Sequence, residues 1–132
     1  MDSQTLKEAV HLAQKLQHIF VATADPQGTP HMAAAGKLAL AAEGRVAVSA
    51  WFCPTTVANL DGNRRVALVI WDSAADKGYQ LLGETEDVEE RAMMDGLAPG
   101  KERPIPQVER ALLVRVEKII DFTHAPHSDL EE

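Results

Sequence analysis

The connections between the apolar runs constrain this chain more than any other feature, because they have room for hairpin turns and for little else. Ile19 to Ala24 is a short β-rich run closed by the turn Asp25-Pro26-Gln27-Gly28. Pro30 to Leu40 is a second run, rich in Ala, and Ala42-Glu43-Gly44 is the next turn. Arg45 to Ala50 alternates Val46 and Val48 with Ala47 and Ser49, the period of two that a strand requires. Parallel neighbours need a crossover of about a dozen residues or more, usually a helix. These links are too short for repeated crossovers, so a mononucleotide-binding parallel sheet is not expected. The pattern predicts a mainly β fold, an antiparallel barrel with added helices.

The remaining elements fit that frame. Thr5-Leu6-Lys7-Glu8 reads as a capping box opening an amphipathic helix over residues 5–18. Leu6, Ala9, Val10, Ala13 and Leu16 share one helical face, which should cover an end of the core. Thr55 to Leu60 predicts a short helix, and Val66 to Trp71 is a strand apolar enough to be buried on both faces. Asp72 to Lys77 reads as a polar loop. Gly78 to Glu89 reads as a long strand, with Gly83 marking a bulge or a close backbone approach. Three prolines and two glycines make Arg91 to Val108 mostly loop, with a helical turn at Ala92-Met93-Met94. Glu109 to Phe122 is the last strand, and the polar tail, residues 123–132, is expected to be ordered only in part.

With 132 residues the chain is read as one domain, 1–132, large enough to bury a core. Its net charge of −7 argues against non-specific binding to nucleic acid or an anionic membrane, both of which require excess Lys and Arg. The single cysteine, Cys53, allows no internal disulfide, and no signal peptide or membrane-spanning run is legible. The expected location is the cytoplasm.

Residues Pro54 to Trp71 hold the strongest candidate for a ligand site. Two hydroxyls, Thr55 and Thr56, open a helix whose free N–H groups suit a phosphate, with a rigid apolar strand behind. The same hydroxyls could be ordinary N-caps, and the residues alone leave both readings open. Ala33-Ala34-Ala35-Gly36 is either a tightly packed strand or a surface on which a flat ring lies close to the backbone. Lys37 either reaches solvent or meets the ligand. Trp51 and Trp71 are core or interface residues, with ring stacking open to Trp51, and Cys53 is a bystander without a visible base. Arg64 and Arg65 are expected to cap the strand or meet surface carboxylates. His31 is assigned a surface or capping role. His124, His127 and Asp129 have ligand-like spacing, but a polar tail with no further Cys or His nearby is a weak zinc site, and no metal is expected. No Ser-His-Asp set or carboxylate pair supports hydrolysis, and no catalytic residue is assigned.

The order of segments carries a resemblance. Ile-Phe-Val-Ala-Thr-Ala is followed by Asp-Pro-Gln-Gly-Thr-Pro-His, a Thr-Thr-x-x-Asn-Leu helix, Asn-Arg-Arg-Val-Ala-Leu-Val, and Gly-Tyr-Gln-Leu-Leu-Gly-Glu-Thr-Glu. Over about residues 15–120 the chain resembles the FMN-binding split-barrel superfamily, the pyridoxamine 5′-phosphate oxidase-like proteins, and most of all its short FMN-binding members. The resemblance implies a six-stranded split barrel that dimerises, with FMN bound non-covalently at the interface. It implies flavin contacts from the inner strand (Ala33, Ala34, Ala35 and Lys37), the following strand (Ser49 and Ala50) and the helix start (Thr55 and Thr56). It also implies hydride or electron transfer on the flavin, as an oxidoreductase or as an electron carrier without a substrate of its own. A split barrel that binds a deazaflavin, haem or no cofactor is the alternative. Many relatives carry Arg or Lys at the positions of Ala33 and Thr55, whereas this chain is uncharged there, and Lys37 sits one residue before the oxidase's lysine. Either FMN is then held more weakly or a cation for the phosphate comes from elsewhere. The oxidase's C-terminal pyridoxal phosphate residues have no match here, so pyridoxamine phosphate oxidation is not expected.

Overall fold

A computed structural model describes residues 2–51, 54–96 and 105–125. The chain runs α1 (Ser3–Leu16), β1 (Ile19–Ala24), β2 (Pro30–Ala35), β3 (Lys37–Leu40), β4 (Arg45–Trp51), α2 (Pro54–Gly62), β5 (Arg65–Asp72), β6 (Lys77–Gly96) and β7 (Ile105–Asp121). These seven strands form one antiparallel sheet in the order β2-β1-β5-β6-β7-β4-β3.

The count differs from the six strands expected, and the run Pro30 to Leu40 is the reason. It breaks at Gly36. The first half pairs with β1, from Ile19 opposite Ala35 to Ala24 opposite Pro30. The second half pairs with β4, from Lys37 opposite Ser49 to Leu40 opposite Val46. Consecutive strands therefore occupy the two outer edges of the sheet. One residue cannot span a flat seven-stranded sheet, in which strands lie about 4.8 Å apart. The sheet must curl until its edges meet, which makes it a split barrel.

Inward-facing residues fill the barrel. Val46, Val48, Leu68, Leu81 and Val114 are completely buried, and Ile19, Ile70 and Leu112 pack in the same cluster. β5 lies between β1 and β6, as its apolar sequence demands. Its inward residues Val66, Leu68 and Ile70 are buried, while Ala67 and Trp71 on the outer face stay half-exposed, so burial on both faces is only partial.

α1 packs against β3 and β5 through Leu6, Ala9, Val10 and Ala13, all buried. It begins earlier than Thr5. Asp2 is the N-cap, accepting from the Gln4 N–H at 3.0 Å and the Thr5 hydroxyl at 2.8 Å. An Asp carboxylate at the cap satisfies a free N–H and faces the positive end of the helix dipole, so it displaces the Thr5 capping box. The helix stops at Gln17, whose left-handed backbone (φ 64°) returns its N–H to the Ala13 carbonyl at 2.8 Å.

β6 and β7 are longer than expected. β6 continues through Ala92-Met93-Met94 to Gly96, and β7 begins at Ile105, so strand replaces most of the anticipated loop and its helical turn. Ladder pairing to a partner strand outweighs local helix preference there. Three register shifts bend this pair, one of them between Leu82 and Gly83. A side chain at Gly83 would collide with the backbone carbonyl of Arg115, so the close approach expected at this glycine is present. Gly36 differs, because a methyl group there would meet open space. Gly83→Ala is therefore expected to destabilise the fold by roughly 1–3 kcal/mol in urea denaturation. Gly36→Ala should stay within about 0.5 kcal/mol of the parent chain.

Candidate functional site

α2 brings the hydroxyl cluster to the barrel. It packs on β1 and β2, and its hold on the sheet is a buried polar contact. Asn59 donates from Nδ2 to the Thr23 hydroxyl at 3.0 Å, with both residues buried. Leu60 is buried beside them. A buried amide must find a partner, and Thr23 supplies it, which fixes the rotation of α2 about its axis.

That rotation separates the two threonines. Thr55 is exposed. Thr56, in the first turn, is only 3% exposed, and its hydroxyl has no hydrogen-bond partner among the described residues. A buried hydroxyl left unpaired costs about 1–3 kcal/mol, and such groups mark strain or a missing ligand atom. Thr56 lines a small recess with Val21, Ala33, Ala34, Ala35 and Arg110. The open space measures about 20 Å³, enough for one water-sized group. Three alanines form one wall, so the strand backbone itself is the surface a ligand would meet.

The other candidates divide by register. Lys37 is exposed on β3 opposite Ser49, away from this recess. Ala50 stands on β4 opposite Arg110 of β7, and Ser49 opposite Ala111, so both lie beside the strand that carries Arg110. His31 is half-buried on the same side of β2 as Ala33 and Ala35. Arg64 and Arg65 are engaged as expected. Arg64 donates to the backbone carbonyls of Thr85 and Glu86, and Arg65 reaches Glu117 at 3.3 Å. Cys53, His127 and Asp129 lie outside the described residues, and no group of three metal-ligating side chains occurs among those described.

Arg110 is absent from the sequence candidates. No motif surrounds it, and its relation to Thr56 arises from strand pairing. Its one legible signal is an arginine directly before the apolar run Ala-Leu-Leu-Val.

A family model described as pyridoxamine 5′-phosphate oxidase matches residues 5–122. The chain belongs to that family. The oxidase family's barrel is also the fold of several solved structures at low identity. An FMN-binding protein from Syntrophomonas wolfei superposes with a TM-score of 0.64 at 16% identity, over 95% of this chain and 90% of that one. An F420 reductase gives 0.59 at 17%, over 83% and 93%. HutZ, the haem storage protein of Vibrio cholerae, gives 0.54 at 15%, over 89% and 92%. No curated protein matches. No helix among the described residues is long and apolar enough to cross a membrane.

A second, larger hollow of about 490 Å³ lies on the outer face of the sheet, lined by Phe20, Met32, Val69, Trp71, Phe122 and His124. Its rim is held by Asp76, which accepts from the Trp71 indole N–H at 3.2 Å and from the His124 backbone N–H at 2.9 Å. The Trp71 ring meets Phe122 and His124 edge-to-face, with centroids 6.0 Å and 5.1 Å away. The hydrogen bond from His124, with the indole bond and the nearby imidazole assisting, holds the Asp76 carboxyl below its ordinary value of 3.8. A carboxylate lowered in the folded state stabilises it fully above that ordinary value, and the contribution disappears as pH falls through the lower folded value. The gap in urea midpoint between the parent and Asp76→Asn should therefore be fully present at about pH 5 and should narrow below about pH 4. A gap that widens on acidification would contradict this assignment.

Proposed function

We propose that this protein is a homodimeric FMN-binding flavoprotein that carries hydride or electron transfer on a non-covalently bound flavin. The observation that supports the reading best is the buried Thr56 hydroxyl in the first turn of α2, unpartnered among the described residues and facing a recess walled by Ala33, Ala34 and Ala35. A helix N-terminus with an unused hydroxyl suits a phosphate oxygen, and a wall of alanines lets a flat ring approach the strand backbone. Thr55 stands exposed beside it, and Ser49 and Ala50 neighbour the same region from β4.

The recess accepts a single phosphate oxygen and nothing as large as an isoalloxazine ring. The ring must therefore lie across the surface of the chain, where a second copy is needed to exclude water. The exposed Met32 and the apolar outer face around Phe20 and Trp71 suit such a copy. The flavin supplies the redox chemistry, and this chain's residues bind, orient and shield it. Among the described residues lining the recess, the polar side chains are Thr56 and Arg110, and neither is a general acid or base at neutral pH. This favours an electron carrier, or an oxidoreductase whose substrate is placed by the flavin and the partner copy.

The absorption spectrum of freshly purified or FMN-reconstituted protein tests the cofactor. Flavin bands are expected, whereas a Soret band would assign haem, a deazaflavin spectrum would assign that cofactor, and either would overturn the proposal. Thr56→Val tests the site. It removes a hydrogen bond to a charged group, worth about 1.5–3 kcal/mol, so FMN affinity should fall by about tenfold or more. It also removes an unsatisfied buried hydroxyl, so the stability of the flavin-free protein should hold or rise. Unchanged FMN affinity would remove Thr56 from the site.

A further inference from the structure

We infer that Arg110 supplies the cation for the ligand's phosphate at the recess it lines with Thr56. The inference rests on the flavin-phosphate reading and names the residue that completes that site.

A phosphate dianion at a helix terminus and a hydroxyl gains further from a full positive charge beside it. The helix dipole contributes roughly half a positive charge, spread over several N–H groups. Charge-assisted hydrogen bonds from a guanidinium are about twice as strong as neutral ones and can be bidentate. Arg110 is the one charged residue among those lining the recess with Thr56. It is half-buried, so a contact there is screened less than at an open surface. The β7 ladder fixes its place, between Ala50 on β4 and Glu90 on β6.

The other described arginines stand elsewhere on the barrel. Arg45 meets Glu86, and Arg115 meets Glu84 and Glu117 at 3.2 and 3.3 Å. Arg65 also meets Glu117, and Arg64 donates to the carbonyls of Thr85 and Glu86. Lys37 is exposed on the edge strand β3. Position alone selects Arg110, because it shares the lining of one recess with the Thr56 hydroxyl.

Titration of flavin-free protein with FMN and with riboflavin, followed by flavin fluorescence, separates this role from a structural one. Riboflavin carries the same ring without the phosphate. Arg110→Gln should weaken FMN binding by about tenfold or more and leave riboflavin binding as in the parent. Arg110→Lys should restore part of the FMN affinity, because it returns the charge without the fork. The salt dependence of FMN affinity should also be shallower in Arg110→Gln. If the parent binds FMN and Arg110→Gln binds it equally well, the inference is overturned while the flavin reading stands. It is overturned too if Arg110→Gln loses FMN and riboflavin alike, or if Arg110→Lys shows no recovery, since Arg110 would then be acting on the fold. A parent chain that binds no FMN overturns both.

Discussion

Everything in this structure depends on how the sheet is closed. β2 and β3 lie at opposite edges of seven strands, yet only Gly36 separates them in sequence. The covalent chain, rather than a hydrogen-bonded ladder, holds the two edges together. An open sheet of this size would present two exposed edges as templates for unwanted pairing. Curling brings those edges together and turns Ala35 and Leu38, on either side of the junction, into the same core. It also sets the positions of both helices. α1 lies over β3, with Gln14 donating to the Leu38 carbonyl, and α2 lies over β1 and β2. The recess beside Thr56 exists because β2 and β7 have been brought to face one helix terminus.

Much of this fold is legible in residue order. The turns at Asp25 to Gly28 and at Ala42 to Gly44 are hairpins as read, each with a glycine in the left-handed region, and the apolar run after Arg65 is an interior strand. The resemblance carried by the order of segments points to the same split barrel. The break at Gly36 is not legible, because Pro30 to Leu40 is uniformly compatible with a strand. Only the need of both edges for a neighbour divides it. Ala92-Met93-Met94 misleads for a related reason: a short apolar triplet suits a helix or a strand, and pairing with β7 decides between them.

The candidate site divides along the same line. Thr56, Ala33, Ala34 and Ala35 announce themselves through local spacing, since a hydroxyl at a helix start and a run of alanines are visible in a window of a few residues. The difference between Thr55 and Thr56 is not, because it depends on the Asn59–Thr23 hydrogen bond that orients α2. Arg110 is further from view. It reaches the recess through the β4–β7 ladder, and no local window joins it to Thr56.

The single-residue link at Gly36 also bears on the order in which the fold can assemble. The β4–β7 ladder joins Arg45 to Arg115, and the β1–β5 ladder joins Phe20 to Val69, so these pairings join segments far apart in sequence. Loop entropy must be spent before such distant pairings are rewarded, which puts a barrel of this kind among slow-folding, high-contact-order topologies. The β1–β2, β3–β4, β5–β6 and β6–β7 pairings join neighbouring segments and ask for less. The recess beside Thr56 is lined from both β2 and β7, so it is complete only when the distant pairings that close the barrel are in place.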